Sequence, residues 1–430
     1  MKTFCLLLCS LILGFLISLP VFSDSLVIHA GKVLVVPGTD PLVNQTIIVE
    51  GNRISRIEPE FIVPNDSSKV LDLRDQFVLP GLMDMHVHLL LELGPNTLVR
   101  SVTEGSTFTA MRGVANARKT LEAGFTTVRD LGGDPESIYA IREAVKEGLI
   151  PGPRIVAAGS ALAATGGHGD VDGIRADLMT AWTPKTICDG AIACRKAVRY
   201  AVKFGADWIK ITATGGVLSD SGTGLDLQMT DDELSEIVRT AHQLKIKVAA
   251  HAHGTDGINA ALKAGVDSIE HGTFLDSSSI ALFKKHNTSL IPTLMPGAYV
   301  VASMGNNPFF TDAIKQKAYK ASAQSKAGFK MANEAGVRIV FGTDTGVTPH
   351  GQNAKEFALM VDAGMSPARA IRAATLGAAE MLGMQDELGT LEVGKLADMI
   401  SVRGDPLADI SVLESVLTVI KDGKIEKATR

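Results

Sequence analysis

The sequence has 430 residues, 46 % of them apolar, with 42 glycines and a formal net charge of −5. That length holds one barrel of roughly 250 residues plus a smaller appended unit, and the apolar fraction excludes a disordered chain. The weak negative charge gives no basic footprint, which sets nucleic acid and anionic lipid aside as partners.

Residues 1–23 read as a signal peptide. Lys2 supplies the positive start, an apolar stretch runs from Phe4 to about Leu19, Pro20 breaks it, and Val21-Phe22-Ser23 forms a cleavage site before Asp24. The alternative is an uncleaved membrane anchor, for which the stretch is near the lower limit of length. Removal implies an exported protein, periplasmic or secreted, with no membrane association afterwards. Of four cysteines, Cys5 and Cys9 leave with the signal. Cys188 and Cys194 stay, either as a short-loop disulfide suited to an oxidising compartment or as two free thiols.

Residues 24–79 are expected to be all-β, from runs such as Leu26–His29, Val33–Val36 and Thr46–Val49 and the turn at Gly51-Asn52. Residues 388–430 look alike, with strands at Asp398–Val402 and Val416–Ile420 and a turn at Asp422-Gly423. Both ends are therefore expected to build one small β-sandwich domain. Between them, residues 80–387 alternate strand and helix patterns, the mark of parallel βαβ units. Eight strands are predicted, near Met83–His88, Thr126–Asp130, Ile155–Gly159, Trp208–Ala213, Val248–His251, Ser268–His271, Ser289–Thr293 and Ile339–Thr343, with helices such as Asp231–Leu244 and Pro367–Leu382. Eight strands close a (β/α)8 TIM barrel. The alternative, an open doubly wound sheet, lacks a Gly-rich dinucleotide turn after the first strand.

Metal-type residues fall at the carboxyl ends of these strands, where barrel active sites are built. His86 and His88 end the first and share a face, because i and i+2 point the same way. Lys210 alternates with Ile209 and Ile211, so it faces the barrel interior if the isoleucines pack on helices. Burial lowers an ammonium's pKa, and a neutral amine reacts with CO2 to give a carbamate whose two oxygens bridge cations; pairing with a barrel carboxylate is the other reading. His251, His271 and Asp344 end later strands. His253 shares parity with His251. His168 follows the third strand in a Gly-rich loop and His350 follows the eighth; these three are candidates for substrate contact, and His168 and His253 also for holding the oxyanion. His29, His242 and His286 lie away from strand ends and read as structural or exposed. Tyr299 and Arg129 lie near strand ends, and Arg129 beside Asp130 reads as a structural ion pair.

Pro80-Gly81-Leu82 through His88, Val128-Arg129-Asp130, Lys210, the two later histidine strands, Gly342-Thr343-Asp344, Ala373-Ala374-Thr375 and the closing Gly389–Asp398 run together resemble the amidohydrolase superfamily over nearly the whole mature chain. The likeness is to its secreted dipeptidase and carboxypeptidase-like branch, which includes Xaa-Arg and Xaa-Pro dipeptidases and ochratoxin-degrading amidases. It implies two divalent metal ions, with zinc the expected species for an imidazole-rich site. His86, His88 and Asp344 would hold the buried one, His251 and His271 the more exposed one, and N6-carboxylated Lys210 would bridge them. The implied reaction is amide hydrolysis by a metal-bridging hydroxide, with Asp344 carrying the proton, on a dipeptide or N-acyl amino acid that loses its C-terminal residue. Cyclic-amide hydrolysis of the imidazolone type and lactonase or phosphotriesterase activity are alternatives. A non-catalytic binding scaffold is a distant one, because no ligand position is missing. Homo-oligomers are common among such barrels, and nothing in the sequence fixes a number.

Overall fold

The computed structural model describes residues 25–64, 68–171, 175–219, 224–303, 305 and 309–429; the predicted signal peptide lies outside them. Fourteen strands follow in chain order among these: β1 Leu26–Val33, β2 Leu42–Glu50, β3 Arg53–Pro59, β4 Lys69–Pro80, β5 Leu82–Val87, β6 Phe125–Asp130, β7 Arg154–Ala157, β8 Trp208–Thr212, β9 Lys247–Ala252, β10 Ser268–His271, β11 Ser289–Ile291, β12 Met399–Val402, β13 Thr418–Lys421 and β14 Lys424–Ala428. Among the described residues, no helix is long and apolar enough to cross a membrane.

The two ends of the chain meet in one hydrogen-bonded sheet of seven strands, ordered β14-β13-β12-β4-β1-β2-β3. Alternating apolar residues from both ends, including Ile28, Ile47, Ile54, Val78, Met399 and Ile420, converge on a single core there. β4 pairs in parallel with β1 and antiparallel with β12, then passes straight into β5 through Gly81. A side chain at 81 would run into Thr126 of β6, so this joint needs glycine for close approach.

The middle of the chain forms two all-parallel sheets, β5-β6-β7 and β11-β10-β9-β8. Every residue of β5, β6 and β8 is buried, as expected of parallel strands covered on both faces. Leu162 joins the sheets on one side: its N–H donates to Lys210 O and its carbonyl accepts from Thr212 N, at 2.8 and 3.0 Å. Seven of the eight predicted strands form. The eighth, near Ile339–Thr343, is an irregular segment. Its hydrogen bonds are divided among three neighbours: Val340 N to Leu290 O, Met85 N to Phe341 O, and Phe341 N to Ala373 O.

The same sharing breaks the helix expected over Pro367–Leu382. It forms as Pro367–Ala373 and Leu376–Leu382, because the carbonyls of Ala373 and Ala374 accept from Phe341 and Met83 rather than from the next helical turn. The predicted helix at 231 is Asp231–Gln243, started by a capping box of Thr230 and Glu233.

Cys188 and Cys194 form a disulfide with six residues of separation, both thiol positions buried. Between them Asp189 accepts from Thr165 N and Oγ1 at 3.0 and 2.7 Å, which anchors the loop that carries His168. So short a loop gives a modest gain, about 2 kcal/mol in the chain-entropy account. Replacing both cysteines by serine is expected to lower Tm by a few degrees in thermal unfolding, without loss of the native circular dichroism spectrum.

Candidate metal centre

Strand alternation places some of the site and fails for the rest. His86 and His88 point the same way from β5, and His251 and His253 from β9, with ring centroids 5.4 and 4.7 Å apart. On β10, however, Glu270 and His271 are consecutive and both face inward. The exception is made by the backbone: His271 has φ 72°, in the left-handed region, which turns its ring back to within 4.6 Å of His251. Thr293 (φ 43°) and Asp344 (φ 56°) are in the same region at the ends of the next two staves. Non-glycine residues held this way at strand ends mark strain stored at a site.

Two clusters result. Ligand-type atoms of His86, His88 and Asp344 lie within 4.8 Å of one another, and so do those of His251, His253 and His271. His253 therefore stands with the pair His251 and His271. Within the first cluster Asp344 Oδ1 is 3.5 Å from His86 Nε2 and 3.1 Å from His88 Nε2.

Each ring is held by its other nitrogen. His86 Nδ1 donates to Glu270 Oε2 at 2.8 Å, His88 Nδ1 to Gly132 O at 3.0 Å, and His251 Nε2 to Gly215 O at 3.4 Å. His253 and His271 have Nδ1 on the hydroxyls of Thr273 and Thr293, at 2.7 and 2.6 Å. For His86 and His88 the nitrogen left over, Nε2, faces Asp344, which is how metal-binding imidazoles are oriented.

The electrostatics suit cations. Burial holds His86 down to about 4 and His253 to about 3, and drives His251 and His271 well below the usual range. Burial also lowers His88, but its bond and charge interaction with Asp344 outweigh it and the net shift is upward. Asp344 is raised by burial and lowered more by His86 and His88, so it stays below the usual carboxylate range.

Lys210 is buried in the same cavity, and desolvation lowers its ammonium to about 8 against the pull of Glu270 and Asp344. Among the described residues no carboxylate stands at ion-pair distance from it; Glu270 and Asp344 attract it from further away, and Glu270 is already bonded to His86 and Arg129. Two residues on, the Thr212 hydroxyl is buried without a hydrogen bond among those residues. Clustered buried imidazoles, a carboxylate, a lysine of lowered pKa and an orphaned hydroxyl together make a donor set that fits divalent metal ions.

These residues floor a cavity of about 400 Å³ whose walls are largely apolar, including Leu91, Leu93, Val217, Leu218, Val300 and Phe309. His168 lines it, with its ring 4.4 Å from that of His251 and Nδ1 3.2 Å from Ser219 Oγ. The ring lies flat against Gly216, where any side chain would collide with it.

His350 does not line the cavity. Its Nε2 donates to Leu91 O at 2.7 Å and its Nδ1 is 3.4 Å from Thr120 Oγ1, so the expected substrate contact is instead a brace for the loop after β5. Arg129 is likewise not paired with Asp130. It pairs with Glu270 at 2.8 Å, both fully buried.

Sequence reading passed over Glu270, Asp84 and Glu356. Asp84 accepts from Thr343 Oγ1 and Asn353 Nδ2 (2.6 and 2.8 Å) and from His86 N, tying the two ends of the first cluster. Glu356 accepts from Leu294 N and Met295 N, both at 2.8 Å, and so fixes the segment beside Thr293. A lone carboxylate within an apolar strand was the available signal for Asp84 and Glu270, the same one that singled out Lys210.

The sequence profile of the amidohydrolase family matches residues 77–425. Ochratoxinase from Aspergillus niger is 34 % identical over 428 aligned residues, covering 93 % of this chain and 86 % of the relative. The crystal structure of an Xaa-Pro dipeptidase with methionine bound in its active site superposes with a TM-score of 0.88 at 41 % identity, over 94 % of this chain and 99 % of that one. That of A. niger ochratoxinase gives 0.82 at 30 % identity, over 94 % and 96 %. Likeness at this level implies a fold that contains a TIM barrel.

Proposed function

The chain belongs to the amidohydrolase family and is a hydrolase; on that premise we propose that it is a dinuclear metal-dependent amidase that releases the C-terminal amino acid of dipeptides or N-acyl amino acids. The observation that carries this reading is the meeting of His86, His88 and Asp344 with His251, His253 and His271, and Lys210 beside them, on the floor of one cavity. His86, His88 and Asp344 would hold one ion, and His251 and His271 the other, with Lys210 as its carbamate supplying the further anionic donor between the two clusters.

Two zinc ions held there supply Lewis acidity and lower the pKa of water. Asp344, on the cavity floor, accepts the proton of the attacking water and passes it to the nitrogen of the leaving amine. N–H groups of His168 and His253 hold the carbonyl oxygen as negative charge develops on it. The apolar walls take up the side chains of the substrate and exclude water. Among the described residues Asp344 is the only carboxylate lining the cavity, so apolar side chains are favoured over lysine or arginine. The similar Xaa-Pro dipeptidase, by its name, acts on dipeptides, and its structure holds the apolar amino acid methionine in the active site. The disulfide supports maturation in an oxidising compartment, in keeping with export directed by residues 1–23.

The test is a hydrolysis screen of zinc-loaded protein against dipeptides, N-acyl amino acids, cyclic amides, lactones and a phosphotriester, with a chelated control. Metal-dependent release of apolar C-terminal residues is expected. Turnover of cyclic amides or esters alone would move the substrate class, and no turnover with two ions bound would favour a binding scaffold.

One variant probes the oxyanion assignment without touching a polar group. Gly216→Ala drives a methyl into the seat of the His168 ring. A drop in kcat of about 10²–10³, the usual loss for a removed oxyanion donor, is expected with metal content unchanged. An unchanged kcat would take His168 out of the mechanism.

A further inference from the structure

Behind the His86 ring lies a charged pair that the proposed chemistry does not use. Glu270 of β10 and Arg129 of β6 are both fully buried. Glu270 Oε2 accepts from His86 Nδ1 at 2.8 Å; Oε1 accepts from Arg129 Nη2 at 2.8 Å and from Ser268 Oγ at 2.6 Å. Arg129 in turn donates from Nε to Met85 O at 2.7 Å and from Nη1 to Ser268 Oγ at 3.2 Å. Its guanidinium lies over the Trp208 ring, 4.5 Å from the centroid. The pair thus reaches from one parallel sheet to the other, and it grips the first cluster twice: through the ring of His86 and through the backbone of its neighbour Met85.

Stability gives no account of this arrangement. A buried ion pair is commonly replaceable by apolar residues of similar size at no loss, because desolvation offsets the attraction. Its position does give one. A carboxylate whose other oxygen already takes two donors can only accept from the imidazole, which fixes the proton on Nδ1 and leaves the Nε2 lone pair facing Asp344 and His88. Arg129, stacked on Trp208 and bonded to Met85, keeps that carboxylate from rotating away.

We infer that Arg129 and Glu270 are positioning residues for His86, and that this buried pair sets how tightly the cluster of His86, His88 and Asp344 holds its metal ion. The inference rests on the reading of that cluster as a metal site.

The experiment titrates apo-protein with Zn²⁺ against a chromophoric chelator, for wild type, Glu270→Gln, the apolar double variant Glu270→Leu with Arg129→Met, and His86→Ala alone and combined with Glu270→Gln. The double variant leaves no unpaired buried charge and guards against failure of Glu270→Gln to fold; circular dichroism checks each. Wild type is expected to bind two ions per chain. The folded Glu270 variants should keep one at wild-type affinity and bind the other about 10–100-fold more weakly. His86→Ala should weaken that same ion, with no further loss on adding Glu270→Gln, whereas a merely structural role would give additive losses. Two ions at wild-type affinity in a folded Glu270 variant, or additive losses, would overturn the positioning role. Failure of wild type to bind zinc would overturn the metal reading itself, and this inference with it.

Discussion

Asp344→Asn is expected to lower kcat by about 10³ or more while the folded structure stays intact, the scale lost when a positioned acid–base group is removed. The prediction separates chemistry from scaffold at one residue. The backbone of Asp344 is set by its N–H bond to His86 O at 2.7 Å and by its φ of 56°. Asparagine adopts that left-handed region as readily as aspartate, and it is isosteric, so no strain is added. It keeps an oxygen toward His86 and His88 but cannot take up and return a proton. Because His86 and His88 hold the Asp344 carboxylate below its usual range, its charge stabilises the folded apo-protein at neutral pH, and the variant should unfold at a somewhat lower temperature without metal. The measurements are kcat at saturating zinc, bound metal per chain, and Tm of the apo form. Loss of kcat at full zinc occupancy is the expected pattern. A kcat within tenfold of wild type at that occupancy would exclude Asp344 as the proton carrier and shift attention to His168 and His253.

How much of this was legible beforehand follows from which physical rule each residue obeys. Period-two alternation places His86 with His88, His251 with His253, and Lys210 opposite Ile209 and Ile211, and all five lie where that rule puts them. The rule would send His271 away from Glu270. Both face the interior because of one left-handed backbone angle, which no composition or spacing announces. The broken helix at Ala373-Ala374 and the irregular eighth stave are another kind of omission. Local propensity favours regular elements there, and long-range bonds from Met83 and Phe341 override it. His350 shows the converse: a histidine after a strand end looked available from sequence, but both ring nitrogens are turned to Leu91 and Thr120. The pairing of Arg129 with Glu270 rather than with its neighbour Asp130 has the same origin, since adjacent residues on a strand point to opposite faces.

Lys210→Ala is expected to be the most damaging single change, costing bound metal as well as rate. Two divalent ions would bring four positive charges to a floor where, apart from Glu270 spent on Arg129, Asp344 is the carboxylate at hand. An ammonium at 210 would add to the repulsion. A carbamate would reverse its sign: the lysine nitrogen bonds to the carbon of CO2, one N–H proton leaves to solvent, and one negative charge is shared by two oxygens. Desolvation favours the neutral amine that this step requires, holding Lys210 near 8 rather than at the usual lysine value. Truncation to alanine removes both oxygens and opens a space the size of the lost side chain beside the orphaned hydroxyl of Thr212. Less than two zinc per chain and a fall in kcat/KM of about 10³ or more are therefore expected, on the scale of losing an activated metal site. Acetate or propionate can enter that space and return two carboxylate oxygens, so millimolar concentrations should restore part of both metal content and rate in the variant and neither in wild type. Intact mass of the native protein should carry one CO2, lost on acidification. Should Lys210→Ala keep two zinc ions and the full rate, the bridging carbamate is excluded and the two clusters hold their ions independently.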